Sequence, residues 1–199
     1  MILEIIKCGH PVLRTKGKPV ERVTPAIRQL AANMVETMYA ADGVGLAAQQ
    51  VGHAQQLTVI DVTRAESPSE LHLAGHPVNL TDRMPLILLN PTITRAEGEQ
   101  TGPEGCLSVP EVSADIRRAA RVWVTSLDLD GQRLEIEAAG LLARALQHEI
   151  DHLNGILFMD RMDPATRASL EGKIKKIQKE TQTTLKAAGK RPPAPARVL

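Results

Sequence analysis

The sequence predicts a single α+β domain, and three observations support this. At 199 residues the chain can bury one substantial core but is short for two full domains. Strand-like segments stand early and in a central hairpin, with helical patterns at intervals and no sustained strand–helix alternation of the βαβ kind. The hydrophobic fraction of 43% and the charged fraction of 24% are those of an ordinary water-exposed globule. With one Trp, one Tyr and one Phe, the core must be aliphatic and methionine-bearing, which argues against an aromatic platform for single-stranded nucleic acid.

The first element is a helix over residues 24–41, "TPAIRQLAANMVETMYAA". Thr24 can cap it and Pro25 suits its first position, while Ile27, Leu30, Met34 and Met38 recur at spacings of three and four as a buried stripe. "LTVIDVT" (57–63) and "PLILLN" (85–90) read as buried strands. Residues 64–84 between them are rich in turn formers, include His72 and His76, and read as an exposed loop. "VWVTSLDLDGQRLEIEA" alternates on both sides of Asp130-Gly131, the signal of a two-residue hairpin turn.

A helix over 140–153, "GLLARALQHEIDHL", follows, with Leu142, Ala145, Leu146, Glu149, Ile150 and Leu153 on one face and Gly155 as its stop. The last helix runs from Pro164 to Ala188 on Leu170, Ile174, Ile177 and Leu185. Residues 1–188 therefore form the expected domain, and 189–199, "GKRPPAPARVL", read as a Pro-rich disordered tail.

No stretch approaches the roughly 20 apolar residues of a membrane span, so no membrane partner is expected. Charged residues interrupt "MILEIIKCGHPVLR" where a secretory signal needs an apolar core. Cys8 and Cys106 are too few for a disulfide framework. The expectation is a cytoplasmic protein whose thiols stay reduced and free to bind metal. The net charge of +1 hides an asymmetry: from Arg161 onward ten basic residues face three acidic ones, while the first 160 residues carry 14 against 20. A basic C-terminal part on an acidic body points to an acidic partner, nucleic acid among them.

The chemistry begins at "QHEIDHLNG" (147–155). His148 and His152 are spaced i and i+4, so on a helix both imidazoles can aim at one metal ion, with Glu149 beside them. Two ligands do not hold a catalytic metal, and the third is open. The metzincin continuation fails, because Phe158 stands where a third histidine is needed. Glu171 can serve in the thermolysin manner, although it lies among surface-type residues in "SLEGKIKK". Cys106, in the irregular stretch "GPEGCLSVPE", offers a soft sulfur that suits a tetrahedral ion with one open position. A further stretch, "DGVGLAAQQ" (42–50), has glycines for close backbone approach but lacks the Lys or Thr of a phosphate loop.

Together these three stretches resemble the peptide deformylases. The family's motifs GxGxAAxQ, EGCxS and QHExDHxxG stand here, in order, as Gly43 to Gln50, Glu104 to Ser108 and Gln147 to Gly155. The likeness runs from "HPVLR" through "GILFMDRM". It implies antiparallel or mixed β-sheets around a central helix bearing HExxH, with an N-terminal and a C-terminal helix. It implies metal-dependent removal of the N-formyl group from the formylmethionine of newly made polypeptides, releasing formate. Cys106, His148 and His152 would then bind one divalent ion, Fe2+ natively with Zn2+ or Ni2+ accepted. Glu149 would be the general base and later the proton donor to the leaving amine. The backbone N–H of Leu107 and the amide of Gln50 would meet the developing oxyanion, and Gly43, Val44, Gly45, Leu107 and Glu104 would contact substrate.

The sequence departs from the family pattern at Val112 and Ser113, where many members carry a basic residue, and in the length of the 64–84 segment. The resemblance is to the subgroup with a helical C-terminal end, whose Lys173, Lys175, Lys176 and Lys179 can dock on ribosomal RNA. Two rival readings differ in class: a small HExxH metallopeptidase using Glu171, and a non-enzymatic zinc or nucleic-acid module needing a fourth Cys or His ligand that has no candidate beside Cys106. His10, His53, His72 and His76 read as surface or loop residues.

Overall fold

The computed structural model describes residues 1–187, so the expected tail over 189–199 and the last residue of the expected domain lie outside the described residues. Helix α1 (Pro25–Ala40) forms as its sequence dictates: the Thr24 hydroxyl oxygen accepts from the Ile27 N–H at 3.3 Å, and Ile27, Leu30, Met34 and Met38 are buried. Strands β1 (Gly45–Ala47), β2 (Leu57–Ile60), β3 (Ser69–Leu73), β4 (His76–Pro77) and β5 (Leu86–Glu97) follow. Next come β6 (Gln100–Cys106), β7 (Val109–Arg118), β8 (Arg121–Leu127), β9 (Arg133–Gly140), α2 (Leu141–Leu153) and α3 (Pro164–Ala187).

The main sheet has seven strands in the order β1-β2-β5-β8-β9-β3-β4, and β6 with β7 makes a separate two-stranded sheet. Every ladder is antiparallel. Parallel pairing among the described residues is confined to one isolated bridge between Lys18 and Gln55. The architecture is thus the expected α+β one, in its antiparallel form.

Three apolar clusters position the helices. Leu142, Ala143, Ala145, Leu146 and Ile150 of α2 pack on Ile60, Leu88, Val122, Val124 and Ile136 of the main sheet. Helix α1 packs on Leu46, Leu57, Val59 and Leu89. Ile174 of α3 joins Val112, Ile116, Phe158 and Met159, which ties the β6–β7 hairpin to the C-terminal helix. Gly155, at φ +74, carries the chain out of α2 in a left-handed conformation that other residues adopt at a cost.

The segment 64–84, expected as an exposed loop, contains β3 and β4. Strand β3 pairs with β9 from Ser69 opposite Gly140 to Leu73 opposite Ile136, and Leu71 enters the core. Its alternation is real but spans only Leu71 and Leu73 among polar neighbours, too short to register against the surrounding turn residues. The hairpin around Asp130-Gly131 exists, with a longer turn than expected: Asp128 pairs its N–H with the Gln132 carbonyl, and its carboxylate accepts from the N–H groups of Asp130 and Gln132, each at 2.8 Å. Strand β5 runs past Asn90 to Glu97 because bulges between Leu89 and Thr92, and between Ile93 and Arg95, absorb Asn90 and Pro91. The β6–β7 hairpin is hidden in the sequence because Gly102, Pro103, Gly105 and Pro110 interrupt any period-two pattern.

Candidate metal centre

Helix α2 is held by its apolar side chains against the sheet, and this turns His148, Glu149 and His152 toward the tip of the β6–β7 hairpin. Cys106 is the last residue of β6. A register shift between Gly105 and Cys106 pairs it with Val109, and the turn through Leu107 and Ser108 follows. The hairpin is tied to the N-terminal segment by the Cys8 N–H, which donates to the Ser108 carbonyl at 2.8 Å, and by Lys7 Nζ, which donates to the Leu107 carbonyl at 2.8 Å.

The result is a cluster of Cys106 Sγ with one ring nitrogen each from His148 and His152, all within 4.8 Å of one another. Sγ lies 3.3 Å from His152 Nε2, which lies 3.2 Å from His148 Nε2. His148 Nδ1 is 3.0 Å from Glu104 Oε2, which makes Nδ1 the protonated nitrogen and leaves the Nε2 lone pair free for a cation. Burial holds His152 well below the usual histidine range and so neutral, as a ligand must be. Burial opposes charge on His148, while hydrogen bonds with Cys106 and Glu104 favour it and raise its pKa; a cation held by the three donors would take the place of the ring's second proton. A thiolate and two imidazoles converging in this way fit a divalent ion with an open position.

Glu149 adjoins the cluster, 4% exposed, with Oε2 lacking a hydrogen-bond partner among the described residues. Burial raises its pKa to about 7, near the value at which a carboxylate exchanges protons readily at neutral pH. Gly45 faces it so closely that a Cβ there would meet the Glu149 carboxyl carbon at 2.8 Å. Gln50 is also buried: its Oε1 accepts from the Ala47 N–H at 2.8 Å, and its Nε2 lies 3.3 Å from Ser108 Oγ and 3.5 Å from Cys106 Sγ.

A cavity of about 730 Å³ opens at the cluster, with Gly43, Val44, Gly45, Gln50, Leu107 and Glu104 in its wall. The residues expected from the motifs are therefore brought together. Glu104, however, spends its carboxylate elsewhere: Arg118 Nε and Nη2 donate to it at 3.0 Å each, Arg144 Nη1 at 2.8 Å, and His148 takes the remaining oxygen position. Burial alone would raise its pKa, but the hydrogen bonds of His148 and Arg118 outweigh burial and hold it down at about 2.

Glu171 is not gathered into the cluster. It sits exposed on α3 and pairs with Lys175 at 2.9 Å, so the rival metallopeptidase lacks its third ligand. Among the other histidines, His10 departs from its expected surface place: it is buried and its Nδ1 accepts from the Val12 N–H at 3.1 Å, capping a short turn. Sequence reasoning missed the supports. Arg118 bridges Glu104 and Asp151, and Arg161 grips Asp151 with two bonds of 3.1 and 2.7 Å. Asp151 sits inside the HExxH stretch, which was a signal; Arg118 lies in the unread hairpin and gave none.

The profile of the family described as polypeptide deformylase matches residues 2–168. Among curated relatives, a peptide deformylase of Methylacidiphilum infernorum is 40% identical over 179 residues, 90% of this chain and 94% of that protein. One from Acinetobacter baumannii is 45% identical over 183 residues, 91% of this chain and 94% of its own. The crystal structure of peptide deformylase from Thermus thermophilus superposes with a TM-score of 0.77 at 38% identity, covering 90% of this chain and 99% of that one.

Proposed function

The chain belongs to the polypeptide deformylase family, and on that premise we propose that it removes the N-formyl group from the formylmethionine of newly made polypeptides, releasing formate. The observation that carries this reading is the convergence of Cys106 Sγ with His148 and His152 beside Glu149, whose Oε2 has no hydrogen-bond partner among the described residues. Cys106, His148 and His152 would hold one divalent ion, and ferrous iron is the proposed working metal, the same donors being suited to zinc or nickel. When bound, that ion supplies Lewis acidity and makes a water acidic enough to yield its proton near neutral pH.

The protein's own groups do the rest. Glu149, poised at a pKa of about 7, takes the proton of the attacking water and returns it to the leaving amine. Gln50 Nε2 and the Leu107 N–H offer donors to the formyl oxygen as it becomes negative; one such donor is worth roughly 3 to 4 kcal/mol. Glu104 fixes the ring and tautomer of His148 from its place in the cavity wall. Strand β1 is the end strand of the main sheet, so the substrate backbone can add to it beside Gly45, and its first side chain then enters the recess lined by Val44, Leu107, Leu141 and Ala145. A formyl carbon carries only hydrogen where a peptide carbonyl carries a chain, which lets a cramped pocket admit one and exclude the other.

No helix among the described residues is long and apolar enough to cross a membrane. The cytoplasm is the proposed setting. Helix α3 keeps Lys173, Lys175, Lys176 and Lys179 exposed while burying Ile174, a face suited to ribosomal RNA. The experiment is formate release from formyl-Met-Ala-Ser by protein prepared anaerobically with ferrous iron. Activity that vanishes in Glu149→Ala while the metal is retained supports the reading; an inactive wild type that cleaves unformylated peptides overturns it.

A further inference from the structure

The wall of the cavity is not wholly apolar. Arg144, on α2 and 6% exposed, is part of its wall together with Leu141, Ala145 and Val44. Its Nη1 donates to the Glu104 carboxylate at 2.8 Å, the Ile116 carbonyl at 2.9 Å and the Gly102 carbonyl at 3.3 Å. Nε and Nη2 have no protein partner among the described residues and are not sealed in, and Arg144 is part of the cavity wall. The strand opposite leaves room for the guanidinium: a Cβ at Gly102 would lie 3.3 Å from Nη2.

Arg144 shares the Glu104 carboxylate with Arg118, which also pairs with Asp151. Hydrogen bonds to a charged group are the stronger ones. A thioether is a weak acceptor, and a hydrocarbon is none. Oxidation of methionine to its sulfoxide places a polar oxygen near the end of the same flexible chain.

Resting on the deformylase reading, we propose that Arg144 gives the recess a hydrogen-bonding end, so that formyl peptides whose first residue is methionine sulfoxide are accepted as substrates. Arg144 is here a specificity-determining residue. Chains begun with an oxidised initiator would then still lose their formyl group.

The test compares kcat/KM for formyl-methionine-sulfoxide-Ala-Ser with that for formyl-norleucine-Ala-Ser, norleucine being the all-carbon match to methionine. Metal-loaded wild type, Arg144→Met and Arg144→Lys are assayed. Damage to the catalytic groups lowers both rates together, so the sulfoxide-to-norleucine ratio isolates the recess. The expected result is a ratio at least about tenfold lower in Arg144→Met than in the wild type, with Arg144→Lys between them. Should Arg144→Met fold poorly, calorimetric binding of the unformylated sulfoxide and norleucine tripeptides to Arg144→Lys reads the same ratio without turnover. A ratio indifferent to Arg144 overturns this inference alone, whereas a wild type that deformylates neither peptide overturns the reading on which it rests.

Discussion

Helix α2 carries buried polar groups on two sides, and the two are finished differently. Asp151 receives Arg118 at 2.5 Å and Arg161 at 2.7 and 3.1 Å, and Arg118 also grips Glu104, so each carboxylate there is fully engaged. On the other side, Glu149 Oε2 is buried with no partner among the described residues. Buried polar atoms in folded proteins are nearly always hydrogen-bonded, because an unpaired one costs about 1 to 3 kcal/mol. The contrast teaches which side serves the fold and which is kept ready for a ligand. His148 joins the two, its Nδ1 on Glu104 and its Nε2 in the cluster.

The comparison can be broken most violently at Glu149. Replacing it with Ala should lower kcat by at least about 10²- to 10⁴-fold while metal content, measured by atomic emission, stays at one ion per chain. Gln50→Ala should cost about 10²- to 10³-fold in kcat with a smaller change in KM, if its Nε2 serves the oxyanion; steady-state kinetics separate the two constants.

Glu104→Gln probes the joint between the two sides and should weaken metal affinity by about 10- to 100-fold in chelator competition. It should also change the response to acid. Glu104 has a folded pKa of about 2 against an ordinary 4.5, so its stabilisation is complete above pH 4.5 and is lost as the pH falls from 4.5 toward 2. Denaturant titrations across that window should show a steep loss in the wild type and a flatter one in Glu104→Gln. The smallest effect is expected at Arg161→Ala. Its side chain is 46% exposed and Arg118 still holds Asp151, so unfolding should shift by no more than about 1 kcal/mol with turnover unchanged.

How much of this was legible follows from where each residue sits. The stripes of α1 and α2 obey a helical period, and each packs against the sheet as its period requires. His148, Glu149 and His152 share one short stretch, so their meeting is a property of the helix. Cys106 meets them across the fold, at the end of a hairpin rich in Gly and Pro; its thiol made it a candidate in the sequence, and only its likeness to a known motif chose it over Glu171. Arg118 and Arg144 went unremarked, since nothing local distinguishes a guanidinium that will be buried against a carboxylate from one on the surface. Strand β3 went unread because its single buried residue, Leu71, is recruited by β9 from far along the chain.

The most direct measurement of the claim that Glu149 Oε2 is kept free for chemistry is Glu149→Gln, which preserves its volume, followed by denaturant unfolding and formate release on the same metal-loaded sample. The account predicts an unfolding midpoint equal to or above that of the wild type, because a buried charge with one oxygen unpartnered is replaced by a neutral amide, together with loss of formate release. A midpoint well below the wild type with formate release retained would contradict it, and would place Glu149 among the supports of the fold.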